Sequence, residues 1–93
     1  IQYKQDSNMV FTGVVTRIQG EIAYYVRSNS SVSVYVTDYS CRVVEILMNP
    51  SVHRSGQHVY PLDLDVSEYP KGDFEVRVYE EGTKLLERKR FSI

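Results

Sequence analysis

The sequence has no tryptophan and a single cysteine, Cys41, among its 93 residues. One thiol cannot close an internal disulfide, so the fold must be held by packing alone, and the cysteine usage says little about compartment. Cys41 reads as a small, partly buried hydrophobe. A catalytic thiol would need a neighbouring base, and the sequence shows none. Long apolar runs are also lacking. None approaches the roughly 18 residues of a membrane-spanning helix, so no span is expected. Glycine is scarce and scattered, with five isolated residues, so no glycine-rich loop is available to cradle a phosphate. Charge of one sign is missing too: 11 basic residues stand against 12 acidic ones, for a net charge of −1. Nothing here would neutralise a nucleic-acid backbone, and no nucleic-acid partner is expected.

Catalytic constellations are equally sparse. No Ser-His-Asp spacing or Gly-x-Ser-x-Gly elbow is present. The two histidines, His53 and His58, read as a polar loop residue and a strand-start residue with a packing or turn-bonding role. Asp63 and Asp65 share one strand face, but His58 falls on the opposite face. Two carboxylates do not fill a calcium shell of about six to eight oxygens. They read as a solvated outer face. A paired-carboxylate hydrolase would need a cleft that raises one pKa, and an open strand face offers none. The expectation is a non-enzyme with no cofactor and no metal.

What is abundant is tyrosine, with eight residues, and alternation. Aromatic residues suit half-buried pleated surfaces, and a period of two dominates the chain while no helical stripe of a dozen residues is found. Thr12 to Ile18 reads as a first strand, with a start as early as Met9, and Gly20 as its break. Glu21 to Arg27 is a second strand, followed by the polar turn cluster Ser28-Asn29-Ser30-Ser31. Ser31 to Asp38 is the clearest strand, with Val32, Val34 and Val36 on one face. After a turn at Tyr39-Ser40-Cys41, Arg42 to Leu47 forms a fourth strand with Val44 and Ile46 inward. Asn49 to Gly56 reads as the longest loop.

Gln57 to Asp65 is the fifth strand, with His58, Tyr60, Leu62 and Leu64 on one face. Pro61 on the other face suggests an edge or a bulge. Asp73 to Glu80 places Phe74, Val76 and Val78 inward. Glu81-Gly82 is a hairpin turn, and Thr83 to Ile93 ends the chain with Phe91 and Ile93 inward and a bulge near Leu85-Leu86. About seven strands spaced by roughly 8–12 residues predict an all-β, antiparallel, immunoglobulin-like β-sandwich. A chain of 93 residues is one domain. Residues 9–93 form the sandwich and residues 1–8 a flexible N-terminal segment. The start at Ile1, with no signal peptide in view, is what a processed or excised fragment looks like.

An ordered set of segments adds a resemblance. Val34-Tyr35-Val36-Thr37-Asp38 precedes a turn and Val43-Val44, and Gly56-Gln57-His58 follows. Leu62-Asp63-Leu64-Asp65-Val66-Ser67 leads to Tyr69-Pro70-Lys71-Gly72-Asp73-Phe74-Glu75-Val76-Arg77-Val78, and Lys89-Arg90-Phe91-Ser92-Ile93 closes the chain. Over residues 21–93 this succession resembles the carboxy-terminal sorting domains of the Bacteroidetes type IX secretion system. It is similar to small secreted Bacteroides modules of the same sandwich, and to a domain of flagellar hook-capping proteins. The pattern has glycine after the Asp-x-x turn. Here Cys41 takes that place, which predicts a turn of a different type, since left-handed backbone disfavours side chains. The Asn-Pro that opens sorting domains is also absent near the first strand.

The resemblance implies a non-catalytic accessory or sorting module of a secreted, periplasmic or cell-surface bacterial protein. Its partner would be the secretion machinery or the parent protein. A carbohydrate-binding or adhesive sandwich is the alternative, and a structural subunit assembling through edge strands is a third reading. Tyr25, Tyr35 and Tyr79 point outward and form an aromatic binding surface if their strands are neighbours; otherwise they pair across strands and stabilise the sheet. Glu87-Arg88-Lys89-Arg90 reads as a charged edge that discourages sheet-to-sheet association, with recognition of an acidic partner as the alternative.

Overall fold

The computed structural model describes residues 16–93. They form six strands: β1 (Arg17–Val26), β2 (Ser30–Asp38), β3 (Val43–His53), β4 (Gly56–Asp65), β5 (Asp73–Glu80) and β6 (Lys84–Ser92). All strand pairings are antiparallel. The strands divide into a two-stranded sheet, β1-β4, and a four-stranded sheet in the order β3-β2-β5-β6. The chain crosses between sheets after β1, β3 and β4, so the two inner faces must pack on each other. The result is an antiparallel all-β sandwich of a two-stranded and a four-stranded sheet.

Alternation explains the core. Val32, Val34 and Val36 on β2 and Phe74, Val76 and Val78 on β5 are buried, as are Leu62 and Leu64 on β4. Against them pack Ile22, Tyr24 and Val26 from β1, together with Val66. These last four were not among the residues expected inside. Phe91 is half-buried rather than fully enclosed, with its ring stacked on Phe74 at 5.5 Å. Tyr69 covers the other edge of Phe74 at 5.3 Å, and its hydroxyl donates to the Glu45 carboxylate.

Several expectations are corrected. There are six strands among the described residues, not seven. Gly20 does not end a strand: β1 runs through it because Gly20 pairs with Leu62 in an unbroken β1–β4 ladder. The expected first strand, Thr12 to Ile18, and the N-terminal segment fall largely or wholly outside the described residues. Asn49 to Gly56 is not a loop. β3 continues to His53, pairing Ser51, Val52 and His53 with Val32, Ser31 and Ser30. The register shifts between Val32 and Val34, which places Asn49-Pro50 at a bulge on an edge strand, where a missing N–H costs no ladder bond.

The same irregular register overturns the inward assignment of Val44 and Ile46, which are 44% and 54% exposed. Two further shifts in the β2–β3 pairing set Ile46 opposite the outward Tyr35, and Leu47 and Met48 reach the core instead.

The Cys41 turn is likewise corrected. Cys41 has φ of 64°, a left-handed conformation that favours glycine, so the turn is of the kind that calls for positive φ after all. Asp38 holds it there: its Oδ1 accepts from the N–H groups of Ser40 (2.8 Å) and Arg42 (3.0 Å), and its carbonyl accepts from Cys41 N–H (2.9 Å). Cys41 is also exposed, not a partly buried hydrophobe. At the β5–β6 hairpin Glu81 and Gly82 sit in the turn as expected, but the ladder pairs Glu80 with Lys84, so the loop has three residues, Glu81 to Thr83, rather than two. Glu81 and Gly82 both have positive φ (52° and 76°), the signature of a type I′ turn. The register shift between Val78 and Tyr79 skips Leu86, which makes Leu86 the bulged residue.

Candidate functional site

Among the described residues, the outward positions of β2, β5 and β6 meet on the outer face of the four-stranded sheet. Tyr35 pairs with Ile46 on one side and Arg77 on the other, and Arg77 pairs with Arg88. The row beside it runs Val43, Thr37, Glu75, Arg90. On the opposite side Ser33 pairs with Tyr79, and Tyr79 with Leu85. The face therefore grades from exposed aliphatic residues on β3 (Val43 54% and Ile46 54% exposed) through aromatic rings to a basic edge on β6.

Arg77 organises the centre. Its Nε donates to Glu75 Oε1 at 2.8 Å and its Nη1 to Tyr79 Oη at 2.9 Å. Its Nη2 lies 3.6 Å from Cys41 Sγ. Arg90 Nε donates to the other Glu75 oxygen at 2.9 Å, and Arg88 approaches it at 4.0 Å. One carboxylate thus gathers three guanidinium groups, and the cluster keeps a surplus of positive charge. The hydrogen bond from Arg77, joined by Arg90 and Arg88, holds the Glu75 carboxyl below its ordinary value. The bonds to Tyr79 and Glu75 raise Arg77 further above its own. Because Arg77 is fixed by partners on both sides, the aromatic residues around it are presented with little freedom left to lose.

Tyr35 and Tyr79 come together, with ring centres 5.9 Å apart and planes tilted by 49°. Both are half-buried. Tyr25 does not join them. It lies on β1, in the other sheet, opposite Gln57 and 58% exposed. The expected three-tyrosine patch is therefore a two-tyrosine patch, because β1 is not a neighbour of β2 or β5. Arg77, Arg88 and Arg90 were not anticipated as members. The alternation that turned Tyr79 outward also turned Arg77 outward and was the available signal.

Beside this face a solvent-open groove of about 390 Å³ runs between the Asp38–Cys41 turn and the ends of β5 and β6, lined by Tyr39, Cys41, Phe74, Glu75, Arg77 and Arg90 among others. Asp63 and Asp65 lie elsewhere, on exposed β4 positions. Asp63 binds Arg17 at 2.6 Å and Asp65 binds Ser67 at 2.7 Å. Neither aspartate faces the groove. His53, expected in an exposed loop, is half-buried at the end of β3 and touches His58. No group of three or more potential metal-ligating side chains occurs among the described residues.

Comparison with family models, curated proteins and solved structures finds no match to this chain.

Proposed function

We propose that this chain is a non-catalytic binding module of a secreted or cell-surface bacterial protein, and that it docks a protein partner through the outer face of its four-stranded sheet. The carrying observation is the Tyr35–Arg77–Tyr79 unit. Tyrosine and arginine dominate binding hot spots, and they do so best where neighbouring groups hold them in place. Arg77 is held by Glu75 and Tyr79. Val43 and Ile46 supply apolar area on one flank. The adjoining groove has room for a side chain of the partner. The ordered segments over residues 21–93 support the accessory or sorting role.

A glycan is the second choice of ligand. Stacking on a sugar ring favours a flat platform, whereas the Tyr35 and Tyr79 rings are tilted by 49°. Assembly through the β6 edge is disfavoured by Arg88, Lys89 and Arg90, since charged edges resist strand addition.

The test is a partner pull-down from the source organism with wild type, the Tyr35→Ala/Tyr79→Ala double variant and Tyr25→Ala. Loss of capture with the double variant and retention with Tyr25→Ala supports the reading. Equal capture by all three overturns it, as does binding to a glycan array with no protein captured.

A further inference from the structure

At the end of the sandwich away from the Asp38–Cys41 turn, β3 hands over to β4 through Arg54-Ser55. This crossover brings together the only two histidines of the chain, His53 and His58. Their ring centres are 5.0 Å apart with an interplanar angle of 62°. Both are half-buried. Tyr24, itself 4% exposed, forms the floor beneath them. Its ring stacks on His58 at 5.5 Å and 16° and lies 5.9 Å from His53.

The tautomers are fixed by the backbone. His53 Nδ1 lies 3.1 Å from the Ser51 carbonyl, and His58 Nε2 lies 2.7 Å from the Arg54 carbonyl. A carbonyl only accepts, so each of these nitrogens carries the proton and donates. That leaves a lone pair on His53 Nε2 and one on His58 Nδ1. Orienting an imidazole by donating its other N–H to a backbone carbonyl is how proteins prepare histidine to ligate a metal.

The separation also fits. Two imidazoles on one ion, with metal–nitrogen bonds near 2.0–2.1 Å and a bite between a right angle and tetrahedral, hold their ring centres about 4.5–5.2 Å apart. The observed 5.0 Å lies inside that window. We propose that His53 and His58 form a two-histidine site for a borderline divalent transition-metal ion such as Zn²⁺ or Ni²⁺, with water in the remaining positions. No third His, Cys, Asp or Glu joins them among the described residues. The site would discriminate by ligand softness: imidazole selects Ni²⁺, Cu²⁺ and Zn²⁺ and leaves Mg²⁺ and Ca²⁺ unbound.

The experiment is a Zn²⁺ titration of the whole chain followed through the imidazole resonances, which come from two residues only. Both histidines are expected to shift together along one saturation curve. Mg²⁺ at the same concentration shifts neither. His53→Gln and His58→Gln should each weaken Zn²⁺ binding at least about tenfold, while Cys41→Ser leaves it unchanged. Absence of a saturable site in the wild type overturns the proposal. So does a shift confined to one histidine, or full affinity in a correctly folded single variant. Where a variant fails to fold, as judged by circular dichroism, the wild-type titration decides alone.

Discussion

Tyr35 and Tyr79 lie side by side on the neighbouring strands β2 and β5, with ring centres 5.9 Å apart on the outer face of the four-stranded sheet. The pair exists because β2 is central in the order β3-β2-β5-β6, so every outward side chain of β2 has a neighbour on both sides. Arg77 is fixed beside the pair by its bonds to Tyr79 and Glu75, and the three residues make one surface.

The Glu75 cluster makes stability depend on pH in a defined sense. The folded-state pKa of Glu75 is depressed below its ordinary value of 4.5 by Arg77, Arg90 and Arg88. Its contribution is therefore present above the unfolded value and lost as pH falls through the folded one. Glu75→Gln should lower stability at neutral pH by about 1 kcal/mol, since two of the arginines remain well exposed and screened. That deficit should shrink steadily below about pH 4.5. Urea unfolding of both forms from pH 3 to pH 7 measures it, and a deficit independent of pH would show that the ion pairs are not its source.

Phe74 is 3% exposed and is gripped between Tyr69 and Phe91. Phe74→Ala should cost about 3–5 kcal/mol, a large share of a small domain's stability. Thermal unfolding followed by circular dichroism reads the change. A melting temperature that stays put would mean that the β5 register differs from the one described.

Cys41 occupies left-handed backbone at φ of 64°. Glycine takes this conformation without the steric penalty that a Cβ incurs. Cys41→Gly should stabilise the domain by about 0.5–1 kcal/mol, the saved strain being partly offset by a more flexible unfolded chain. Cys41→Ala should not. If Cys41→Gly is destabilising in denaturant unfolding, the contact between Arg77 and the Cys41 sulfur outweighs the backbone term.

Much of this architecture was legible in the sequence wherever one face of a strand is buried in regular register. Strands β2, β4 and β5 were placed to within a residue, because Val32 to Val36, Leu62 to Leu64 and Phe74 to Val78 alternate cleanly. The Leu85-Leu86 bulge followed from the same alternation failing to join the two ends of β6. β3 departs from the sequence pattern for a physical reason. It is an edge strand with three register shifts, and each shift resets which residues face inward, so Val44 and Ile46 lost the phase that the sequence suggested. Asn49-Pro50 resembles a loop but sits at a bulge.

The candidate site was half legible. Outward-pointing tyrosines could be named strand by strand, but sheet membership decides which of them meet, and that depends on pairings distant in sequence. Tyr25 and Tyr79 have the same local pattern and lie on different sheets. The contact between His53 and His58 is not legible in the sequence, because Asn49-Pro50 and Ser55-Gly56 carry loop signals while β3 continues to His53.

The most direct test of the docking face is site-specific photo-crosslinking in the source cell. A benzophenone amino acid would be placed in turn at Tyr35, Tyr79, Arg88 and Tyr25, the first three lying on the outer face of the four-stranded sheet and the last on the opposite sheet. Discrete adducts to a protein partner are predicted at the positions of Tyr35, Tyr79 and Arg88, with none at that of Tyr25. Adducts at the Tyr25 position alone, or none at any position, would contradict the account.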